Sequence, residues 1–381
     1  MFSQPARELF PPRLPTMRLS LLLLSVFVLA LLAIATPGTA APFVPARDPQ
    51  VVAVSPSGAV VATGCSGQSD GSFPPRPHPD VRKCAVVAIW DVGTGKRLMR
   101  SELYGDLTQL AFSPDGTLLA ATRLYATSDG LSLPEVRVWD TTTGRVVKAL
   151  DRCHAFDFSP DGSQLAVVSR TKCVVYERND WNKERQLPPL GGCVSVAFLP
   201  DGESILGVCR ESTVETPELY RLRKCDLATG KIVKQSQPLS QPFYRVAVAP
   251  DTLHLATGHD EGNVLIWDAA NLTPQTRLQT GVKGIAHPFF SPDGKYLAAG
   301  CQDNGDVVLW ELNTAKETGR FTFEKGSFRT HHPRAADETF RPEKDPARFC
   351  FHPESTAILI GAYGGILRET DGGREIRRFG D

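Results

Sequence analysis

The sequence predicts an all-β protein: a single seven-bladed β-propeller of four-stranded blades, preceded by a signal peptide. Three observations lead there. A proline-centred turn phrase recurs seven times, a Trp-Asp dipeptide or a variant of it follows each copy, and the stretches between are short apolar runs. Repetition at this period, without helical patterning, is the signature of stacked β units closed into a ring.

The chain has 381 residues, of which 22% are charged and 41% hydrophobic, in the range of ordinary globular proteins. Lys plus Arg equals Asp plus Glu, 42 against 42, so no whole-molecule field favours nucleic acid or anionic lipid as a partner. At the N-terminus Arg13 and Arg18 precede an apolar run from Leu19 to Ala35, and Pro37, Gly38, Thr39, Ala40 and Ala41 follow. A basic start, an apolar centre and a small-residue end describe a secretory leader. Residues 1–41 are therefore expected to be a signal peptide, with Met17 as an alternative start, and 42–48 a linker to a propeller spanning 49–381. Export to a periplasmic or extracellular space follows, with no membrane insertion after cleavage. An uncleaved anchor facing away from the cytoplasm is the alternative, since the apolar run is near the minimum for a spanning helix.

The turn phrases are Ser55-Pro56-Ser57-Gly58, Ser113-Pro114-Asp115-Gly116, Ser159-Pro160-Asp161-Gly162, Leu199-Pro200-Asp201-Gly202, Ala249-Pro250-Asp251-Thr252, Ser291-Pro292-Asp293-Gly294 and His352-Pro353-Glu354-Ser355. Proline presets the first central torsion, Asp accepts local backbone bonds and Gly takes the left-handed position, so each phrase closes a hairpin. The second phrase is Trp90-Asp91, Trp139-Asp140, Tyr176-Glu177, Cys225-Asp226, Trp267-Asp268, Trp310-Glu311 and Arg368-Glu369. Tight glycine turns such as Thr94-Gly95-Lys96 and Thr143-Gly144-Arg145 come behind it. Each repeat thus reads as strands a, b, c and d. One such unit cannot bury both faces, so neighbours must stack.

On these residues the chain resembles the WD-repeat β-propeller family, over about residues 49–380. The resemblance implies a ring used as a protein-binding scaffold. It departs from the family in lacking the Gly-His dipeptide that opens a repeat, since Gly258-His259 falls after strand b instead. That departure puts in doubt the Asp-His-Ser-Trp hydrogen-bond network that the family builds on the dipeptide. Tyr176, Cys225 and Arg368 replace the Trp in blades three, four and seven. In many relatives the N-terminal segment supplies the outer strand of the last blade. Here Arg374 to Phe379 already reads as that strand, so closure is expected to rest on packing of blade seven against blade one.

Spacing shows where chain has been added. From turn proline to Trp-equivalent the intervals are 34, 25, 16, 25, 17, 18 and 15 residues, so blades one, two and four carry extra chain between strands b and c. From Trp-equivalent to the next turn proline they are 24, 21, 24, 25, 25 and 43, placing a fourth insertion between blades six and seven. In an up-down blade the b–c and d–a connections emerge on one face, called the upper face below. All four insertions map to it. Loops on a rigid scaffold are the usual carriers of specificity. The partner-binding candidates are Phe73, Arg76 and His78 in the Pro-rich blade-one insertion, and Phe328, Arg329, His331, His332, Arg334 and Phe340 in the last one. The alternative is that these are tolerated surface excursions, because added loop length is thermodynamically cheap.

No catalytic, cofactor or metal site is expected. Gly93-Thr94-Gly95-Lys96 superficially suggests a phosphate loop, but the phrase recurs as a hairpin turn. His331-His332 with Asp337 and Glu338 lacks the spacing of a metal site, and neither Gly-x-Ser-x-Gly nor His-Glu-x-x-His occurs. Of the nine cysteines most fall at repeat positions and read as small core hydrophobes. Cys65 and Cys84, flanking the blade-one insertion, are the best candidates for a disulfide if the compartment is oxidising. Two function classes remain: an exported protein-binding scaffold, or a propeller enzyme of metal-dependent hydrolase or lactonase type with a site at the channel mouth. The absence of recurring acids or histidines at the inner strands favours the first.

Overall fold

In the computed structural model the described residues are 51–68, 83–126, 131–213, 216–301, 306–321, 349–360, 366–370 and 375–378. Residues 1–41, the expected signal peptide, lie outside them. Blade one comprises β1 (Val51–Val54), β2 (Val60–Gln68), β3 (Lys83–Asp91) and β4 (Arg97–Tyr104). Blade two has β5 (Asp106–Phe112), β6 (Leu118–Ala126), β7 (Ser132–Asp140) and β8 (Val146–Asp151). Blade three has β9 (Cys153–Phe158), β10 (Gln164–Ser169), β11 (Cys173–Glu177) and β12 (Asp180–Gln186). In blade four are β13 (Cys193–Phe198), β14 (Ser204–Thr213), β15 (Thr216–Asp226) and β16 (Ile232–Gln235). Blade five follows with β17 (Phe243–Val248), β18 (His254–His259), β19 (Asn263–Asp268) and β20 (Thr273–Gln279). Blade six holds β21 (Ala286–Phe290), β22 (Tyr296–Cys301), β23 (Val307–Glu311) and β24 (Lys316–Phe321). Blade seven ends the ring with β25 (Phe349–Phe351), β26 (Ala357–Ile360), β27 (Ile366–Glu369) and β28 (Glu375–Arg378). Each blade is one antiparallel four-stranded sheet built from consecutive strands, and seven such sheets account for all 28 strands among the described residues.

The repeated phrases form the turns that their chemistry requires. In blade two the Ser113 hydroxyl donates to Asp115 Oδ1 at 2.6 Å and accepts from the Leu118 amide at 2.9 Å, while Gly116 N–H donates to the Ser113 carbonyl. At the c–d turn Asp140 Oδ1 accepts from the Thr143 amide (2.7 Å) and hydroxyl (2.8 Å). The a–b turns also pack on one another. A Cβ placed on Gly116 would lie 3.6 Å from Pro56, one on Gly162 3.6 Å from Pro114, and one on Gly58 only 2.5 Å from His352 of the last blade.

The core is divided between blades. The wall between blades one and two contains Ile89, Met99 and Leu103 against Leu110, Leu119 and Trp139. Small residues on strand b, such as Ala62, Ala120, Ala166 and Ala256, let large neighbours on c and on the adjoining blade approach. Ring closure follows the expectation: β28 is the outer strand of blade seven, and Val52, Val61, Ala88 and Trp90 pack against Ala357 and Leu359. Among the described residues, hydrophobic contact and not a shared sheet therefore joins the first and last blades.

One cysteine reading changes. Cys193 and Cys209, taken from sequence as core hydrophobes, face each other across β13 and β14 and form a disulfide with Cα atoms 4.0 Å apart. Among the repeats only blade four carries cysteine at both of these positions. For Cys65 and Cys84 the backbone register pairs Cys65 with Val86 and Cys84 with Gly67. A diagonal offset of this kind spans about 7–8 Å, beyond the usual reach of a disulfide. Their side chains lie outside the described residues.

Candidate interaction face

The two faces differ in how much of their chemistry is already committed. On the lower face the turn residues are engaged with their own blade and the next: Arg178 of blade three donates to Asp115 of blade two at 2.5 Å, and the Asp293 amide donates to Ser355 Oγ at 3.1 Å. Blade two and blade four instead turn their added chain into strand on the upper face. β6 and β7 have nine residues each, β14 and β15 ten and eleven, against six in β18 and β19. Sequence spacing read these additions as loops. They are tall hairpins because residues 119–126 and 132–139 continue the pairing without interruption, as do most of 205–213 and 216–225. Blade one has the same form, with β2 and β3 paired out to Gln68 and Lys83.

Ion networks brace two of the hairpins. Glu135 Oε2 accepts from Arg123 at 2.6 Å and Oε1 from Arg137 at 2.6 Å, and Arg123 also donates to the Tyr104 carbonyl and stacks over Tyr125, 4.5 Å from the ring centre. Burial alone would raise the Glu135 carboxyl, but the hydrogen bonds and charges of the two arginines outweigh it and hold it below the usual range. Gly105, in the connection entering blade two, has φ 106°, and a Cβ there would fall 2.1 Å from the Leu124 carbonyl. Only glycine allows this close approach. Blade four repeats the design, with Glu211 between Arg221 and Arg223 and Arg223 donating to the Pro189 carbonyl. Each tall hairpin is thus tied by an arginine to the connection that leads into its own blade.

Below the hairpins the innermost strands carry one unpaired edge. Bulges at Thr108, His154, Val194 and Tyr244 mark the upper ends of β5, β9, β13 and β17. Polar side chains satisfy the edge groups of the next blade: Gln109 bonds both the carbonyl (2.8 Å) and the amide (3.4 Å) of Phe156, His154 Nε2 meets the Cys193 carbonyl at 3.0 Å, and Asp157 Oδ2 accepts from the Phe198 amide at 2.7 Å. Arg245 of blade five donates to the Thr108 carbonyl of blade two. Burial pushes the Asp157 carboxyl up to about 7 despite its two backbone N–H donors, and pulls His154 down. The seam is structural: these groups close the ring's inner wall.

Part of the hydrogen-bond network that the departures from the family put in doubt is present. Trp267 Nε1 donates to Thr257 Oγ1 at 2.7 Å, and Thr257 bonds His259 Nε2 at 2.9 Å, all fully buried. The displaced Gly258-His259 therefore supplies its histidine from the end of strand b. Burial, and secondarily Arg277, lower that imidazole to about 4, so it is neutral. In blade one Trp90 donates to Thr63 at 2.9 Å without a histidine.

All nine sequence-predicted contact residues, Phe73, Arg76, His78, Phe328, Arg329, His331, His332, Arg334 and Phe340, lie outside the described residues. What sequence reading missed is the braced hairpins; the available signal was the alternation of charge in Glu135-x-Arg137 and Arg221-x-Arg223 within strand-like runs. Among the described residues no group of three or more His, Cys, Asp or Glu side chains is placed to hold a metal ion. Burial raises the thiols of Cys153 to about 11 and of Cys173 and Cys350 to about 12, away from nucleophilic character.

Comparison with known proteins agrees with this geometry. Residues 273–311, running from β20 through β23, match the family model described as WD domain, G-beta repeat. The WD repeat and SOCS box-containing protein 1 of Takifugu rubripes is 30% identical over 242 residues, which are 59% of this chain and 53% of that protein. Protein groucho of Drosophila melanogaster is 27% identical over 136 residues, 35% of this chain and 17% of its own. The chain thus spans about half or less of the length of these curated relatives. Among solved structures, the Swd1 β-propeller domain of Myceliophteria thermophila superposes with a TM-score of 0.59 at 15% identity, covering 87% of this chain and 95% of that one. Kuenenia stuttgartiensis hydrazine synthase gives 0.60 at 17% identity, covering 88% and 99%. At these identities the structural likenesses speak for the fold alone. Seven blades built on the repeated turn and Trp-Asp phrases, together with the matched repeat and relatives, make this chain similar to the WD-repeat β-propeller family.

Proposed function

We propose that this protein is an exported protein-binding scaffold whose partner site is on the upper face. The observation that carries the reading is the asymmetry between faces: added chain is built into tall hairpins on one, while the turns of the other are packed against each other. Such pre-ordered protrusions lose little entropy on contact, which favours their use as a binding surface. WD-repeat relatives generally engage protein partners, which supports the same reading. Export is supported by the leader-like N-terminus and by the Cys193–Cys209 disulfide, a bond that persists in oxidising compartments. The sector of blades six, seven, one and two, with Phe73, Arg76, His78 and the Phe328 to Phe340 segment, remains part of the proposed surface.

The test compares the mature chain with variants in which residues 69–82 or 322–348 are replaced by a short Gly-Ser link. Affinity capture from the native envelope identifies a partner of the intact chain. Weaker binding of that partner to either folded variant supports the assignment of the face. Retained affinity in both, combined with loss on substituting Asp201 or Asp251 on the lower face, overturns it.

A further inference from the structure

We propose that the notch above blade three binds an acidic, extended segment of the partner protein. The inference rests on the scaffold reading and deepens it by naming the chemistry of the occupant. Blade three is low: β10 ends at Ser169 and β11 begins at Cys173, closed by a Ser169 N–H to Lys172 carbonyl bond of 2.7 Å. Its neighbours on both sides are the two braced hairpins. Measured from the turn proline, β6 and β14 run three to four residues beyond β10, which makes each wall about 10 Å taller than the floor.

The floor is basic. Lys172 in the b–c turn and Arg152 in the connection entering blade three are exposed, and Asp151 precedes Arg152 in the chain. The blade-four wall adds Arg221 and Arg223 around the single Glu211. On the blade-two wall Leu124 and Pro134, paired across the strands, share the face of Ala120 and Val136 that packs toward blade three, and both are half-buried. A trough with a cationic floor, one cation-rich wall and one apolar wall complements an extended chain bearing carboxylates and an occasional apolar side chain.

A second observation concerns Arg152, whose φ is 60°. Blades four and six place Gly192 (φ 80°) and Gly284 (φ 105°) at the same distance before the turn proline. The position thus asks for glycine, and a non-glycine residue there is strained. Strain retained where glycine is available points to use of the side chain.

The experiment measures binding of a fluorescein-labelled twelve-residue peptide of alternating Glu and Ser to the mature chain, with a Lys-Ser peptide as control. The expected result is salt-sensitive binding of the Glu-Ser peptide at least about tenfold tighter than the control. Arg152→Gly should weaken it about tenfold while raising the midpoint of unfolding, and Lys172→Gln should weaken it several-fold with the midpoint unchanged. Equal affinity for the two peptides, or variants that bind as the native chain does, overturns the proposal. If a captured partner binds Arg152→Gly undiminished, the notch is excluded and the scaffold reading stands. If the acidic peptide binds through Arg152 but the intact chain captures no partner, the scaffold reading fails by itself.

Discussion

Replacing Thr257 by Val isolates the hydrogen-bond chain inside blade five. The substitution keeps the branched shape and exchanges the hydroxyl for a methyl. It leaves two groups stranded: the Trp267 indole N–H, 2.7 Å from Oγ1, and His259 Nε2, 2.9 Å away. Thr257 is 0% exposed and both partners 1%, so water cannot replace the lost bonds. An unsatisfied buried group costs about 1–3 kcal/mol, and the added methyl returns under about 1 kcal/mol. The expected loss is therefore about 2–4 kcal/mol. Thr63→Val in blade one strands the Trp90 indole and no imidazole, so it should cost about half as much. The assay is urea unfolding followed by circular dichroism and tryptophan fluorescence, with coincident curves required before a free energy is assigned. A Thr257→Val loss below about 0.5 kcal/mol, or one equal to that of Thr63→Val, would refute the reasoning.

Four further outcomes follow from the same geometry. Because burial raises Asp157 to about 7, its contribution is complete below the unfolded carboxylate value and is lost as pH rises through 7; Asp157→Asn should remove that decline between pH 5 and 8, measured by denaturant midpoints. His259 has the opposite sign, its imidazole lowered to about 4, so stability should fall as pH drops from about 6.5 toward 4, and less so in His259→Gln. Cys193→Ala with Cys209→Ala opens a loop of 16-residue separation and should cost about 3 kcal/mol in the chain-entropy account, while making stability insensitive to reductant. Glu135→Gln leaves Arg123 and Arg137 without their shared anion, at a cost of about 3 kcal/mol, with faster amide exchange confined to the blade-two hairpin.

The number of blades, the strand order and the placing of the repeated turn phrases could be read in the residues because each depends on local rules. Pro56, Pro114 and their equivalents preset a torsion, Asp140 and Asp226 cap the turn that follows, and neither needs distant partners. Ring closure without an exchanged strand was legible for the same reason, since the sequence after Arg368 already contained an outer strand. What spacing could not say was whether extra chain between strands becomes loop or strand. That choice depends on cross-strand register and on partners such as Tyr104 and Pro189, which belong to other segments and meet Arg123 and Arg223 only in the closed ring. The same limit applies to Cys193 and Cys209, whose pairing required β13 and β14 to place them opposite each other, and to His259, which reaches Thr257 from an unexpected strand end. Local torsional and hydrogen-bonding preferences act within a few residues and are written in order along the chain. Side-chain juxtaposition between blades arises only when seven such units close on one another, and the basic notch over blade three exists only in that closed form.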